Sequence, residues 1–322
     1  MAKKLKFFNE RQNCPACKHN DNKEIINISW DEKVLTDLFT YRNYPIGFID
    51  EGSYRIMECM SCNLLYQKFC PNDFLLDKIY NVWLKGRSSR ENDFQDYSFN
   101  PYSARKTINN ISEINQILKN ISNIPEKPKV LDFGMGWGGW CKAAQLMGLE
   151  AYGSEITKSQ IEYNERNGLK VIKLENLSKY SFDMINTEQV FEHLAEPYEV
   201  LKFLTKCLKP NGYLKISVPN SVRVKSNLEK EIKAEWFYAK GKRYSLNPLE
   251  PLQHLNGFTH HSLITMASRL GLKESNISIG RIHRNSVNSS SLINSIRYFL
   301  SPFLPIYDFF NSKRTNVLFI KS

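Results

Sequence analysis

Two groups of residues in this 322-residue chain have types and spacings suited to chemistry. Cys14-Pro15-Ala16-Cys17 and Cys59-Met60-Ser61-Cys62 are knuckles of identical spacing, separated by about forty residues. A two-residue gap lets one tight turn deliver two thiolates, and four thiolates satisfy a tetrahedral zinc ion. Because the protein fills all four positions, a zinc held this way is structural and has no open position for catalysis. His19 and Cys70 are substitute ligands by type, but neither sits in a knuckle.

The second group is the run Val130-Leu131-Asp132-Phe133-Gly134-Met135-Gly136-Trp137-Gly138-Gly139-Trp140. An apolar stretch reaches an acid and then breaks into four glycines before a helical pattern over 141–147 begins. Glycine tolerates positive φ and carries no Cβ, and a helix N-terminus presents unpaired N–H groups, so this run predicts a nucleotide-binding strand, turn and helix. The spacing alone admits an NAD-dependent oxidoreductase, since Gly134 to Gly139 also fits G-x-G-x-x-G and Glu155 lies at the distance of a ribose acid.

The elements that must position these groups alternate. Ala151-Tyr152-Gly153-Ser154-Glu155 reads as a second strand, followed by a helix over 158–167. A third strand is expected at 169–174 and a fourth at 182–186. A helix over 197–208 stops at Lys209-Pro210-Asn211-Gly212, and Tyr213 to Val218 reads as a fifth strand. Such alternation predicts a parallel sheet with helices on both faces and its ligand at the carboxyl ends of the strands. Asp132, Glu155, Glu188 and Gln189 all fall there. Ahead of this region, Ile108, Ile111, Ile114, Ile117, Leu118 and Ile121 have helical spacing, so a helix should pack on the sheet and end before Pro125. The pieces 24–30 and 53–57 are β-prone and could form a small sheet that joins the cysteine knuckles.

Taken together, Val-Leu-Asp-x-Gly-x-Gly-x-Gly, the acid Glu155, Phe-Asp-Met-Ile-Asn-Thr-Glu-Gln-Val-Phe-Glu-His-Leu (182–194) and Leu-Lys-Pro-Asn-Gly-Tyr-Leu-Lys-Ile-Ser-Val-Pro-Asn (208–220) resemble the class I S-adenosylmethionine-dependent methyltransferases. The likeness continues through 254–263 and 269–272 as the last helix before a sixth strand near 275–279, and 315–320 looks like an antiparallel seventh strand. The resemblance implies an α/β fold, a Rossmann-like doubly wound sheet with an antiparallel last strand, here preceded by a small zinc-binding domain. It implies that Gly134, Gly136 and Gly138 pass under the methionine part of the cofactor while Asp132 holds its ammonium, and that Glu155 takes both ribose hydroxyls. Asn176 and Leu177 would then meet adenine, where the family's usual aspartate is missing. Thr187, Glu188 and Gln189 would line the methionine end and the acceptor. Asp132 and the fourth- and fifth-strand patterns favour this cofactor over NAD. On the acceptor side, a proton that must leave needs a base, and His254, with His193 as the second candidate, is the expected one. The paired knuckles also resemble the zinc-binding segment of bacterial methyltransferases that act on sugars, which implies a saccharide acceptor such as a nucleotide sugar or surface-polysaccharide precursor.

The resulting plan has a four-cysteine zinc-binding domain at 1–75, a helical linker or cofactor lid at 76–125, and the methyltransferase domain at 126–322 with an aromatic, basic insertion at 221–251. Phe99-Asn100-Pro101-Tyr102 could fold over the cofactor. The net charge of +11 is spread widely and mixed with acids, so nucleic acid ranks below a small molecule as partner, and the Asn/Asp-Pro-Pro-Tyr signature of base methylation is absent. A zinc-ribbon nucleic-acid methyltransferase or binding module is the corresponding alternative. The apolar stretch 292–310 is interrupted by Arg297, Pro302, Pro305 and Asp308, so it predicts packing or a homodimer contact and no membrane span. The first residues lack the order of a signal peptide, from which a cytoplasmic protein is expected.

Overall fold

The computed structural model describes residues 6–45, 47, 49–83, 101–240, 242–277 and 314–321, without the side chains of 101–105. The stretch 292–310 and residues Phe99 and Asn100 lie outside the described residues. The chain forms two compact units, one from Met1–Ser89, Gln189–Lys202 and Val218–Leu270, the other from Arg90–Glu188, Phe203–Ser217 and Gly271–Ser322.

The first unit begins with β1 (Phe8–Glu10), β2 (Asn22–Ile28), helix α1 (Lys33–Tyr41), β3 (Tyr54–Cys59), β4 (Leu65–Gln67), β5 (Phe69–Pro71) and α2 (Asp73–Asp77). As expected from their β-prone sequences, β2 and β3 pair antiparallel, and β4 continues the sheet. The turn between β3 and β4 is the second cysteine knuckle. Asn72 caps α2 by accepting from Leu75 N at 3.1 Å.

In the second unit, α3 (Pro101–Leu118) buries Ile114, Ile117 and Leu118 against Val130, Met184 and Tyr213, whereas Ile108 is exposed. Then come β6 (Lys129–Phe133), α4 (Gly139–Leu146), β7 (Glu150–Ser154), α5 (Lys158–Arg166), β8 (Lys170–Val171), β9 (Phe182–Glu188), α6 (Pro197–Cys207) and β10 (Leu208–Pro219), the first residues of α6 and the last two of β10 counting with the first unit. The third strand is shorter than its apolar sequence suggested, because Leu174 already enters a 3-10 turn. The Lys-Pro-Asn-Gly stop survives as an irregularity inside β10: Leu208 faces Phe182 and Tyr213 faces Met184, with Asn211 at φ 59° between them.

After β10 the chain adds α7 (Val224–Leu228), the two-residue β11 (Asn256–Gly257) and α8 (His260–Ser268). These belong to the first unit, where the sequence reading had an insertion in the methyltransferase domain. The physical reason is burial. Val224, Leu228, Phe237, Leu246, Leu249 and Leu252 share one core with Phe8, Trp30, Leu35, Tyr54 and Ile56. A segment of about 75 residues rarely builds enough core alone, and this one acquires it from 221–257. β11 extends the small sheet by pairing with β4. Thr259 and Ser262 form a capping box that starts α8.

β12 (Leu272–Glu274) and β13 (Arg314–Lys321) complete the large sheet, whose strand order is β12-β13-β10-β9-β6-β7-β8. β6 to β10 run parallel and β13 is antiparallel to β12. The sixth strand lies a few residues before its expected position; Ser275 donates its N–H to Leu318 O at 2.8 Å where the pairing ends. This is the expected α/β, Rossmann-like sheet with an antiparallel last strand.

Candidate functional site

At the carboxyl end of β6 the glycine loop turns with Gly134, Gly136 and Gly138 at φ 78°, 53° and 75°. Such angles strain any side-chain-bearing residue. At Gly138 there is also no space: a Cβ would lie 2.3 Å from Asn164 Oδ1 and 2.4 Å from Leu169 Cδ1. The loop is held from below by Gly134 N donating to Ser154 O at 2.8 Å and by Asn164 Nδ2 donating to Gly136 O at 2.7 Å. Asn164, fully buried on α5, was not singled out from sequence. Its only signal was a polar residue on the helix's inner face.

Glu155 follows β7 and reaches this loop. Its Oε2 accepts from Gly136 N at 3.0 Å, and its Oε1 accepts from Ile156 N and Thr157 N at 2.8 and 3.0 Å. A carboxylate has about four acceptor positions, so with three in use Glu155 keeps room for about one more donor.

Asp132 is 4% exposed and accepts from Asn186 Nδ2 at 2.7 Å. Burial, opposed by that hydrogen bond, pushes its carboxyl up to about 7. The strand register explains the neighbourhood: Asp132 faces Asn186 of β9, and Asn186 faces Lys215 of β10. Lys215 Nζ donates to Glu113 Oε1 at 2.6 Å, a pair almost wholly buried. Lys215 and Glu113 are polar groups the sequence reading passed over. The signal was present, a lysine at the centre of Tyr-Leu-Lys-Ile-Ser-Val and a glutamate among the isoleucines of α3. Glu188, at the end of β9, is ion-paired with Arg314 of β13. Burial raises its pKa, but Lys215, Arg314 and Lys106 outweigh that and hold it below the usual carboxylate range.

The remaining expected cofactor residues divide. Gln189 adopts φ 57° and its buried Nε2 has no hydrogen-bond partner among the described residues, a donor suited to a ligand. Thr187, by contrast, is fully buried and donates its hydroxyl to Lys215 O at 2.9 Å, so its side chain is committed to the sheet. Leu177 is buried in the 3-10 turn after β8, and Asn176 beside it accepts from Lys179 Nζ at 2.7 Å.

In the first unit Cys14, Cys17, Cys59 and Cys62 converge, all four buried, with Sγ atoms within 4.8 Å of one another. The Cys14–Cys62 and Cys17–Cys59 sulfur distances are 3.6 and 3.4 Å. Four sulfurs at about 2.3 Å from zinc stand about 3.8 Å apart, so the donor set fits. Each knuckle closes with a left-handed residue after its second cysteine, Lys18 at φ 60° and Asn63 at φ 57°. The hydrogen bond from Cys62 draws the Cys14 thiol down to about 5, while burial pushes Cys59 up to about 11. Four thiols so close ionise together only around a cation. His19 is exposed and outside the cluster, and Cys70 is buried elsewhere.

His193 and His254 come together in the same unit, ring centroids 4.7 Å apart and planes at 74°. These are the two residues expected as base candidates. Burial holds His254 well below its ordinary pKa and brings His193 down to about 4, which makes both weak proton acceptors near neutral pH. Arg11, three residues before the first knuckle, supports the surrounding backbone by donating to Gln67 O, Leu255 O and Leu194 O at 3.2, 3.2 and 3.0 Å. Gln67 Nε2 donates to His254 O at 2.9 Å.

Comparison with known proteins agrees with this geometry. A family model described as a methyltransferase domain matches residues 104–275, more than half of the chain, and the chain belongs to that family. Its mostly parallel sheet and glycine loop are consistent with that family. The ubiquinone biosynthesis O-methyltransferase of Rickettsia prowazekii (strain Madrid E) is 31% identical over 121 residues, 34% of this chain and 47% of that protein. The chain thus spans about half the length of that curated relative. Among solved structures, a SAM-dependent methyltransferase from Archaeoglobus fulgidus is 19% identical, with a TM-score of 0.41 over 77% of this chain and 99% of that one. Magnesium protoporphyrin IX methyltransferase from Synechocystis PCC 6803 with bound SAH is 13% identical, with a TM-score of 0.47 over 78% and 100%. The longest helices answer the membrane question in part: among the described residues none is long and apolar enough to cross a membrane.

Proposed function

We propose that this protein transfers the methyl group of S-adenosylmethionine to a small-molecule or saccharide acceptor, with a nucleotide sugar or surface-polysaccharide precursor as the leading class. The observation that carries the reading is the glycine loop tied by Gly136 N–H to the Glu155 carboxylate, beside the buried Asp132. Bound S-adenosylmethionine would supply a sulfonium methyl for in-line displacement, and positioning would supply much of the rate. Asp132 takes the cofactor's ammonium, directly or through water, and Glu155 takes the ribose hydroxyls. Gly134, Gly136 and Gly138 let the backbone approach. Asn176 and Leu177 meet adenine, and Glu188 and Gln189, with the Thr187 backbone, line the methionine end.

The four cysteines hold a structural zinc ion in this proposal, supported by the donor set and its spacing. The saccharide reading rests on the pairing of such knuckles with a methyltransferase domain. Nucleotide sugars incubated with the protein and methyl-labelled S-adenosylmethionine, analysed by mass spectrometry, test it: a labelled methylated product supports the class. Label appearing only in lipid quinone precursors or in nucleic acid would exclude it.

A further inference from the structure

We infer that Glu192, His193 and His254 form a second metal site, separate from the four cysteines, for a first-row divalent cation of the zinc type. One ligand atom from each residue lies within 4.8 Å of the other two, and His193 Nε2 is 3.9 Å from Glu192 Oε1. The tautomers are set by the backbone. His193 Nδ1 lies 2.9 Å from Gln253 O, with Tyr80 Oη at 3.0 Å, and His254 Nδ1 is bonded to Asn247 O. A carbonyl can only accept, so each Nδ1 carries the proton and each Nε2 keeps its lone pair. Neither Nε2 makes a hydrogen bond among the described residues. Metal-binding histidines are fixed in this way, with the second ring nitrogen donating to a carbonyl.

The groups that do the fixing are themselves held. Asn247 Nδ2 donates to Phe237 O and Glu250 Oε2, both at 3.1 Å. Leu255 N donates to Glu192 O at 2.7 Å, so the backbone of the carboxylate residue is tied to the residue after His254. A buried histidine pair kept only for packing would satisfy both nitrogens of each ring; here the two rings cross at a steep angle and present their free nitrogens beside a fully buried carboxylate. Two imidazoles and one carboxylate suit zinc, iron, cobalt or nickel better than magnesium or calcium. Three protein ligands also leave coordination positions open, in contrast to the closed four-cysteine set.

The test is a metal count on the full-length protein. With zinc in the cysteine cluster, titration with cobalt(II) should fill one further equivalent, with weak visible d–d absorption and no thiolate-to-cobalt charge-transfer band. His193→Ala, His254→Ala and Glu192→Gln should each reduce two metal equivalents to one and keep the zinc, whose retention reports an intact first unit. A wild-type protein that takes up no metal beyond the cysteine-bound equivalent overturns the inference, as does a second equivalent that survives in all three variants. Titration with S-adenosylhomocysteine on the same samples reads the methyl-donor site independently, so failure of either reading leaves the other to stand on its own result.

Discussion

The residue with the most to reveal is Asp132. Its carboxyl is raised to about 7 chiefly by burial, yet its proposed work, holding an ammonium group, requires the ionised form. Affinity for S-adenosylhomocysteine should therefore weaken as pH falls below about 7, approaching tenfold per pH unit. Asp132→Asn should bind more weakly and lose that dependence, which calorimetric titration at a series of pH values reads directly. The linked stability effect has the opposite sense. A carboxyl raised on folding favours the folded state fully below the unfolded value, and that contribution is lost as pH rises from there through about 7. Without cofactor the protein should lose stability over that window, and with cofactor less so. Asp132 and Glu155 were legible in the sequence because each ends an apolar run at a strand terminus. The histidines were legible only as types, since their burial and tautomers depend on carbonyls of Gln253 and Asn247 that no spacing rule reveals.

At the scale of elements, the large sheet follows directly from its alternating pattern, and its strands fall where periodicity put them, apart from a shortened β8 and an earlier β12. Those two ends were set by local competition: a 3-10 turn claims Leu174, and pairing with β13 draws Leu272 into the sheet. The buried Lys215–Glu113 pair joins β10 to α3 and could not be paired from sequence, because a hundred residues separate its members. Removing one partner strands a buried charge, so Lys215→Met alone should cost about 3–5 kcal/mol in denaturant unfolding. The double variant Lys215→Met, Glu113→Leu should recover most of it. Equal destabilisation by the single and the double variant would show that the pair contributes no coupling.

At the scale of the whole molecule, the chain order misleads about organisation. The aromatic segment around Trp236, Phe237 and Tyr238 follows the methyltransferase motifs but packs with the cysteine-bearing strands; Phe237 meets Tyr54 edge-on at 5.6 Å and Tyr238 stacks on Tyr41 at 4.0 Å. Hydrophobic pattern gives the amount of apolar surface to be buried, not the partner that buries it. The organisation has a consequence for metal removal. Stripping the four-cysteine site with a strong chelator, or Cys14→Ser, should disturb residues 221–257 as well as the knuckles, because one core serves both. Hydrogen exchange should show protection falling in 221–257 together with the knuckles. Unchanged protection there would mean the knuckles are dispensable to that core.

The central claim is the identity of the methyl donor's site, and isothermal titration of the full-length protein with S-adenosylhomocysteine and, in parallel, with NAD tests it most directly. One equivalent of S-adenosylhomocysteine should bind, Asp132→Asn should weaken that binding, and NAD should give no saturable heat. Saturable binding of NAD, or of neither nucleotide, would contradict it.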